Sequence, residues 1–341
     1  MTPQMIDLRS DTVTKPSAAM RRAMAEAEVG DDVLDGDPTT RRLEERTAQL
    51  LGQERALFFP SGSMANQAAI WALAERGTEM YAHDDSHIVN LEMGGASALG
   101  GVQPRLIQGA PRVTRETLVR AIRPPGHDFP RATLLCLENT HNGSGGMVTP
   151  LAEQSALAAL GRSAGCRVFL DGARLWNAAA ATGTPLADFA GCADATMVSF
   201  SKGLGAPVGA ALAGSRDVME AAWEARKRFG GGMRQSGIIA AGALYGLEHN
   251  LSRLGEDHLH ARKFAAIVAE AKHAAVVPPE TNIVMIDLPA GTGAPAFAAA
   301  AMARGVRVSV WTASRVRTVM HLDVTSSEVE RAATVLRELL S

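Results

Sequence analysis

The amino-acid sequence predicts an α/β protein built on a mostly parallel sheet. Apolar segments of strand length alternate with helix-like segments along most of the 341 residues, which is the pattern of α/β folds. Two strand-like segments end in polar residues that glycine follows, at residues 168–172 and 198–203. Open parallel sheets bind their ligands beyond such carboxyl ends. A chain of this length can bury a large core and carry a second, smaller lobe.

Composition argues against several classes of partner. The formal net charge is −2, which favours neither nucleic acid nor an anionic membrane. No apolar run reaches membrane-spanning length, and residues 1–7 lack the pattern of a signal peptide. Cys136, Cys166 and Cys192 are widely spaced and show no metal-ligand spacing. We therefore expect reduced core cysteines, no metal site and a cytoplasmic protein.

The N-terminal quarter is predicted to hold an extended arm, three helices and one strand. Residues 1–16 form the arm, and Ser17 begins the first helix. Glycine and aspartate dominate residues 30–38, which predicts a loop, and Gly52 closes the second helix. The predicted elements are helices over residues 17–27 and 40–51, a strand over 56–59, and a helix that follows 60–63 and runs to about 75.

The rest of the chain continues this alternation in two domains. The large domain is predicted to span residues 17–250, and a small C-terminal α/β domain spans residues 251–341. The large domain has predicted strands over residues 80–83, 134–138, 167–170, 196–200 and 209–213, and closing helices over 218–228 and 236–250. The small domain has an amphipathic helix near 256–272 and strands over 282–288, 306–310 and 318–322.

Lys202 and Asp171 are predicted to enter one crevice from neighbouring strands, because each follows an apolar run. This pairing suits pyridoxal phosphate, which forms a Schiff base with a lysine while a carboxylate holds its protonated pyridine nitrogen. Two other interpretations stay open. Asp171 could cap the next helix, and Lys202 could lie in a surface turn.

The turn Ser61-Gly62-Ser63 lies where a predicted strand becomes a helix. Free N–H groups and the positive end of the helix dipole favour a phosphate there. The alternative is a plain serine N-cap with a turn glycine. His87 follows the next strand, four residues after His83. Its loop position favours an imidazole stacked on a flat cofactor ring over a metal ligand, and the alternative is a histidine bonded to the backbone.

Arginines are candidates for binding an anionic substrate. Arg174 lies three residues after Asp171, and Arg317 begins the last predicted strand. A guanidinium fork suits bidentate capture of an amino acid carboxylate, although an isolated arginine is more often a solvated surface residue. The glycine-rich loop at residues 230–235 is either structural or reaches a phosphate. His127 lies either on a loop surface or in the catalytic site.

Together these segments resemble the low-specificity L-threonine aldolases, pyridoxal phosphate enzymes with the aspartate aminotransferase fold. The resemblance covers essentially the whole chain. Its motifs are highly specific jointly, whereas the aspartate and lysine motifs also occur across the wider fold. The segments that carry it are Ile6-Asp7-Leu8-Arg9-Ser10-Asp11-Thr12-Val13-Thr14, Val29-Gly30-Asp31-Asp32-Val33, Leu137-Glu138-Asn139-Thr140-His141-Asn142-Gly143, Leu170-Asp171-Gly172-Ala173-Arg174, Ser201-Lys202-Gly203-Leu204-Gly205-Ala206-Pro207-Val208-Gly209, residues 230–235 and His321-Leu322-Asp323-Val324.

The resemblance implies a pyridoxal-phosphate-dependent transferase fold, with a large cofactor-binding domain and a smaller C-terminal lobe. It also implies pyridoxal 5'-phosphate as cofactor and a homotetramer whose active sites are shared between subunits. The matching positions are Lys202 for the Schiff base, Asp171 for the pyridine nitrogen, His87 for the ring stack, Ser61, Gly62 and Ser63 for the phosphate, Ser10, Arg174 and Arg317 for the substrate carboxylate, and Arg174 and Arg234 near the cofactor.

Three loops depart from the family pattern, and all concern the shape of the substrate site. The family often has a histidine directly before a phenylalanine, whereas this chain has Asp128 before Phe129, and a shift of one residue would restore His127. Residues 35–38 lack the usual tyrosine, and residues 143–148 differ from the shorter family loop. The preferred side chain and the preference between threo and erythro substrates therefore stay open.

The implied reaction is retro-aldol cleavage of L-threonine, L-allo-threonine and related L-β-hydroxy-α-amino acids to glycine and an aldehyde. The base that takes the β-hydroxyl proton is His87, His127 or a bound water. A β-eliminating lyase or an aminotransferase on the same fold would break another bond at Cα. A catalytically silent cofactor-binding protein is the alternative of a different class.

Overall fold

The structure is a computed structural model that describes residues 5–124, 126–273 and 275–341, so the first four residues of the predicted arm lie outside it. Among the described residues, no helix is both long and apolar enough to span a membrane. The helices are α1 (Ala18–Ala25), α2 (Pro38–Leu51), α3 (Gly62–Leu73), α4 (His87–Asn90), α5 (Arg115–Ala121), α6 (Leu151–Ser163), α7 (Leu175–Thr182), α8 (Leu186–Ala190), α9 (Arg216–Arg228), α10 (Gly237–His249), α11 (Leu254–Val268), α12 (Ala294–Ala303) and α13 (Ser326–Leu339). The strands are β1 (Ile6–Asp7), β2 (Arg55–Phe59), β3 (Glu79–His83), β4 (Gln103–Ile107), β5 (Ala132–Glu138), β6 (Arg167–Gly172), β7 (Ala195–Ser199), β8 (Ala210–Gly214), β9 (Ala275–Val276), β10 (Ile283–Asp287), β11 (Val306–Arg307), β12 (Ser309–Thr312) and β13 (Arg315–Val319).

Seven strands form the large sheet, in the order β2-β8-β7-β6-β5-β3-β4. β8 pairs antiparallel with both of its neighbours, and the other adjacent strands pair in parallel. The carboxyl ends of β2, β3, β5, β6 and β7 therefore meet at one edge. This confirms the predicted α/β class with a mostly parallel sheet, and this edge is where such sheets bind ligands.

Both faces of the large sheet are buried under apolar clusters. Successive side chains along a strand point to opposite faces, so each strand contributes to both clusters. On β6, Val168 and Leu170 join one apolar cluster, while Phe169 joins the cluster on the other face. β5 alternates in the same way, with Leu135 in the first cluster and Cys136 in the second. Each fully buried aliphatic or aromatic side chain stabilises the fold by about 1.5–3 kcal/mol. The sheet is therefore a rigid support for the residues at its edge.

Local capping fixes where helices begin and end. Ser17 caps α1 as predicted, since its Oγ accepts the backbone N–H of Met20 at 3.1 Å. Gly52 ends α2 in the left-handed conformation, with φ at 60°, which glycine adopts without the steric cost of a Cβ. Ser61 Oγ accepts the backbone N–H of Met64 at 3.2 Å and so starts α3 directly after β2.

A second, four-stranded antiparallel sheet follows in the C-terminal part, in the order β12-β13-β10-β9. The N-terminal arm packs against this part rather than against the large sheet. β1 pairs in parallel with β11, and Ile6 and Leu8 are buried in the apolar cluster that α11, α12 and α13 share with these strands. The arm therefore brings residues 9–13 towards the space between the two sheets.

Several strands differ from the sequence-based expectation, and β9 is among those that were not predicted. The strand predicted over residues 318–322 is instead Arg315–Val319. It begins earlier because Arg315 bonds Asp287 and Arg317 bonds Asn142, so these two charged residues are accommodated within the strand. The strand predicted over 306–310 is divided into β11 and β12. β4 was not predicted, since its sequence Gln-Pro-Arg-Leu-Ile lies at the sheet edge and its residues are mostly exposed or half-buried, where polar residues and proline are tolerated.

Candidate active site

Polar side chains converge at the carboxyl edge of the large sheet. Asp171 is the next-to-last residue of β6, and Lys202 follows β7, which pairs in parallel with β6. Glu138 ends β5, and Ser61 follows β2. The sheet thus brings together the lysine and the aspartate. One cavity at this edge is lined by Gly62, Ser63, Asn66, His87, Asp171, Ala173, Met197, Ser199, Ser201 and Lys202.

Lys202 is a buried amine with a lowered pKa. Burial, and next the positive charge of Arg174, lower the pKa of Lys202 to about 8. Its Nζ makes no hydrogen bond to any residue that the structure describes. An amine with this pKa is half unprotonated at about pH 8, and the unprotonated form is the one that acts as a nucleophile.

Asp171 has contacts of two kinds. Its Oδ1 accepts the backbone N–H of Ala173 at 3.0 Å, which is the local cap that the alternative interpretation anticipated. Its Oδ2 accepts an N–H of the Asn66 side chain at 2.9 Å. The carboxylate is 3% exposed and also lines the cavity of Lys202, so the capping contact coexists with a position in the site.

His87 begins α4, and its side chain is 32% exposed. Its Nδ1 lies 2.9 Å from Glu92 Oε1, and its backbone N–H donates to Glu138 Oε2 at 2.9 Å. Burial alone lowers the pKa of His87, but the hydrogen bond to Glu92 and the charge of Asp171 raise it above its usual value. The imidazole therefore has a carboxylate partner on one nitrogen while the ring borders the cavity.

Gly62 and Ser63 place the first turn of α3 at the cavity. The first N–H groups of a helix have no partner within it, and those at the start of this 12-residue helix suit an anion. Ser61 is also the N-cap of α3, as the alternative interpretation expected, because its Oγ accepts the backbone N–H of Met64. A Cβ on Gly62 would contact only Met197 Cε, at 3.6 Å. Internal packing therefore does not demand glycine here, whereas close approach of a ligand would.

Arg174 and Arg317 meet at Asn142, although Arg174 follows β6 of the large sheet and Arg317 lies in β13 of the second sheet. Arg174 Nη1 and Arg317 Nη1 donate to the same oxygen, Asn142 Oδ1, at 3.3 and 2.7 Å. They are 4% and 8% exposed, so neither is a solvated surface arginine. Burying two guanidinium groups side by side is unfavourable unless anions or carbonyl groups compensate them.

Asp11 supplies part of that compensation and was not predicted as a site residue. Arg174 Nε and Nη2 donate to its two carboxylate oxygens at 2.8 and 2.7 Å. Burial alone raises the pKa of Asp11, but Arg174, Lys202 and Arg317 hold it well below its usual range. Because this ion pair occupies one face of the Arg174 fork, only Nη1 points elsewhere.

Arg317 has spare capacity to donate. Its Nη2 donates to the backbone oxygen of Arg9 at 3.1 Å, and its Nε is buried without a partner among the described residues. Burial and the neighbouring Arg174 lower the pKa of Arg317 to about 10. Ser10 lies in the chain between Arg9 and Asp11, the residues that bond Arg317 and Arg174 respectively. An added carboxylate would satisfy the unpaired N–H.

Two of the predicted residues lie elsewhere in this chain. His127 is exposed on the loop that precedes β5, at the amino edge of the sheet and so opposite the cavity. Arg234 bonds both carboxylate oxygens of Asp31, each at 3.2 Å, and its side chain is 55% exposed. Within one chain the structure does not bring either residue to Lys202, so their roles stay predictions that need a second copy.

Several buried polar residues of the site were missed as site residues. Glu138 accepts the backbone N–H groups of His87 and Asn142, the latter at 2.8 Å. Burial, and next the charge of Asp171, raise the pKa of Glu138 to about 7. Glu138, Asn142 and Asp11 all lie inside the motifs that carry the family resemblance, which was the available signal. Glu92 lay outside every motif considered.

Comparisons with known proteins agree with this geometry. The sequence model of the beta-eliminating lyase family matches residues 7–290. Low-specificity L-threonine aldolase 1 of Arabidopsis thaliana is 41% identical over 96% of this chain and 94% of its own length. The low specificity L-threonine aldolase of Escherichia coli O157:H7 is 40% identical over 99% of this chain and 100% of its own length. The structure of Leishmania major threonine aldolase superposes with a TM-score of 0.81 at 19% identity, covering 98% of this chain and 100% of that one, which shows a shared fold.

Proposed function

Because the chain belongs to the beta-eliminating lyase family and, within it, to the low-specificity L-threonine aldolases, we propose that it cleaves L-β-hydroxy-α-amino acids. The substrates are L-threonine, L-allo-threonine and related compounds, and the products are glycine and an aldehyde. The protein is then a carbon–carbon lyase. The family predicted from the sequence is confirmed, as is the fold.

The residues at the sheet edge fit pyridoxal 5'-phosphate. Lys202 offers an amine whose pKa is lowered to about 8, Asp171 a buried carboxylate for the pyridine nitrogen, and the start of α3 an open set of N–H groups for the phosphate. His87 borders the same cavity and would stack on the ring. When bound, this cofactor withdraws electrons from a bond at Cα of the amino acid attached to it.

The two arginines would orient the substrate. Arg317 has an unpaired buried Nε, and Arg174 is fixed in place by its ion pair with Asp11. A carboxylate held between them would fix the orientation of the bonds at Cα of the substrate, and alignment of that kind contributes much of an enzyme's rate. Ser10 adds a hydroxyl at the same place. Asn142, which bridges the arginines here, would share them with the substrate.

The observation that carries the proposal is the meeting of Lys202, Asp171 and both arginines at one sheet edge. The test is product analysis on L-threonine, L-allo-threonine and L-phenylserine with the cofactor-loaded protein. Glycine and the matching aldehyde support the aldolase. Pyruvate or another keto acid would instead identify a β-eliminating lyase or an aminotransferase, and absence of turnover on every substrate would identify a silent cofactor-binding protein.

We further propose a cytoplasmic homotetramer with shared active sites. Large apolar side chains stand exposed on the single chain, including Met93 at 98% and Leu34 at 74%, and a second copy could cover them. A second copy could also bring His127 or Arg234 to a site. The three cysteines are unpaired, which fits a reducing compartment. Light scattering should give a mass of at least a dimer, whereas a fully active monomer would contradict the shared site.

Replacing Arg317 by alanine should cripple substrate binding while leaving the cofactor in place. Truncating one partner of a buried, hydrogen-bonded charge pair costs roughly 2–5 kcal/mol, which corresponds to about a 30- to 4,000-fold loss in kcat/KM. The measurement is glycine release from L-threonine over a range of substrate concentrations. Cofactor absorbance should match that of the parent protein.

Arg315→Ala is the matched control, two residues away on β13. Arg315 is half-buried and bonds Asp287 at 2.6 and 2.8 Å, and it has no contact with Asn142 or Asp11 among the described residues. Its loss should leave kcat/KM within a few-fold of the parent. Parent-like cleavage by the Arg317 variant, or a crippled Arg315 variant, would show that the carboxylate is bound elsewhere.

A further inference from the structure

A buried carboxylate that no sequence motif pointed to, Glu92, lies at the centre of the site's hydrogen bonds. Its side chain is 1% exposed. Its Oε1 accepts from Asn66 Nδ2 at 2.7 Å and lies 2.9 Å from His87 Nδ1, and its Oε2 accepts from Gln67 Nε2 at 2.7 Å. Three donors around two oxygens are satisfied by an ionised carboxylate, which only accepts hydrogen bonds.

Asn66 extends this network to Asp171, the proposed partner of the pyridine nitrogen. The same Nδ2 that donates to Glu92 also donates to Asp171 Oδ2 at 2.9 Å. The opposite orientation of the amide would set its oxygen against two carboxylate oxygens, so the contacts fix which way it points. One ring nitrogen of His87 and one carboxylate oxygen of each of Glu92 and Asp171 lie within 4.8 Å of one another. Glu92 therefore contacts His87 directly and is linked to Asp171 through Asn66.

The network also selects the tautomer of His87. Since Glu92 can only accept, Nδ1 must carry the proton, and neutral His87 then keeps its lone pair on Nε2. Nε2 makes no hydrogen bond to any other described residue, while the ring borders the cavity of Lys202. A histidine held in this way is prepared to accept a proton from a bound molecule.

We propose that Glu92 is a positioning residue that holds His87 in its Nδ1–H tautomer, with Nε2 free to accept the β-hydroxyl proton of the substrate. Through Asn66, the carboxylate of Glu92 also fixes the position of Asp171 relative to the imidazole of His87. The claim that Nε2 accepts the β-hydroxyl proton rests on the proposed aldolase function. The arrangement of tautomer and hydrogen bonds is a property of the protein itself.

The test compares the parent with Glu92→Gln, which removes the charge and keeps the shape. The charged groups that face His87 are Glu92, Asp171, Glu138 and Lys202, and only the first changes. Two-bond ¹H–¹⁵N spectra of histidine-labelled, full-length protein, with and without cofactor, report the tautomer and titration of His87. We expect the Nδ1–H form in the parent. In the variant we expect a lower pKa of His87 and a kcat about 10²-fold lower, with KM for L-threonine nearly unchanged because the arginines are intact.

Glu79→Gln is the control, because Glu79 is an equally buried carboxylate at the amino end of β3, paired with Arg123 and away from the cavity. It should leave the His87 signals and kcat unchanged. An Nε2–H form in the parent, or a Glu92→Gln variant with unaltered His87 signals and kcat, would overturn the assignment. If the expected spectra appear but no substrate yields glycine, the aldolase proposal fails and the structural role of Glu92 stands.

Discussion

Lys202→Ala should abolish covalent retention of the cofactor and lower glycine release from L-threonine by several orders of magnitude. Lys202 lies in the cavity with an amine whose pKa is lowered to about 8. The other lysines are exposed on the surface; they are Lys15, Lys227, Lys263 and Lys272. Borohydride reduction followed by peptide mapping should therefore place the cofactor on Lys202 alone, and the alanine variant should carry no label.

The matched control is Lys272→Ala. Lys272 is exposed in the turn after α11, so both labelling and turnover should equal those of the parent. A label on any lysine other than Lys202, or a parent with no label at all, would disprove the assignment of the cofactor attachment site.

Asp171→Asn should leave the fold intact and slow cleavage by several orders of magnitude. The amide is nearly isosteric, and it can keep one of the two contacts made to Ala173 and Asn66. It cannot supply the negative charge that keeps a neighbouring nitrogen protonated, an effect of about 1–3 pKa units for charges in contact. The measurements are circular dichroism and thermal unfolding for the fold, and single-turnover glycine release for the chemistry.

Asp194→Asn is the control for this variant, because Asp194 bonds the backbone of β6 at the opposite end of the strand. Its Oδ2 accepts the backbone N–H of Val168 at 2.7 Å, at the amino edge of the sheet. Its substitution should cost some stability and leave turnover near the parent value. Near-normal turnover of Asp171→Asn would instead show that Asp171 acts only as the local cap of Ala173.

The sequence by itself predicted the inner strands of the central sheet and the pair of residues at its edge. Apolar runs such as residues 167–170 and 196–200 are buried on both sides, so their strand character shows in composition alone. The polar residue that ends each run then falls at the carboxyl edge without further information. Asp171 and Lys202 could therefore be placed in one crevice from the order of residues alone, and the joint motifs identified the family.

Only the tertiary structure decided what surrounds that pair. Arg174 meets Asp11 from 163 positions away in the chain, and Arg317 meets the backbone of Arg9 from 308 positions away. No local pattern encodes such contacts, because they depend on how the arm and the two sheets pack together. The same holds for Glu92, whose partners are set by the turn after α4, and for His127, which the strand direction carries to the opposite edge. Local periodicity fixes secondary structure, whereas long-range packing fixes which charges share a buried site.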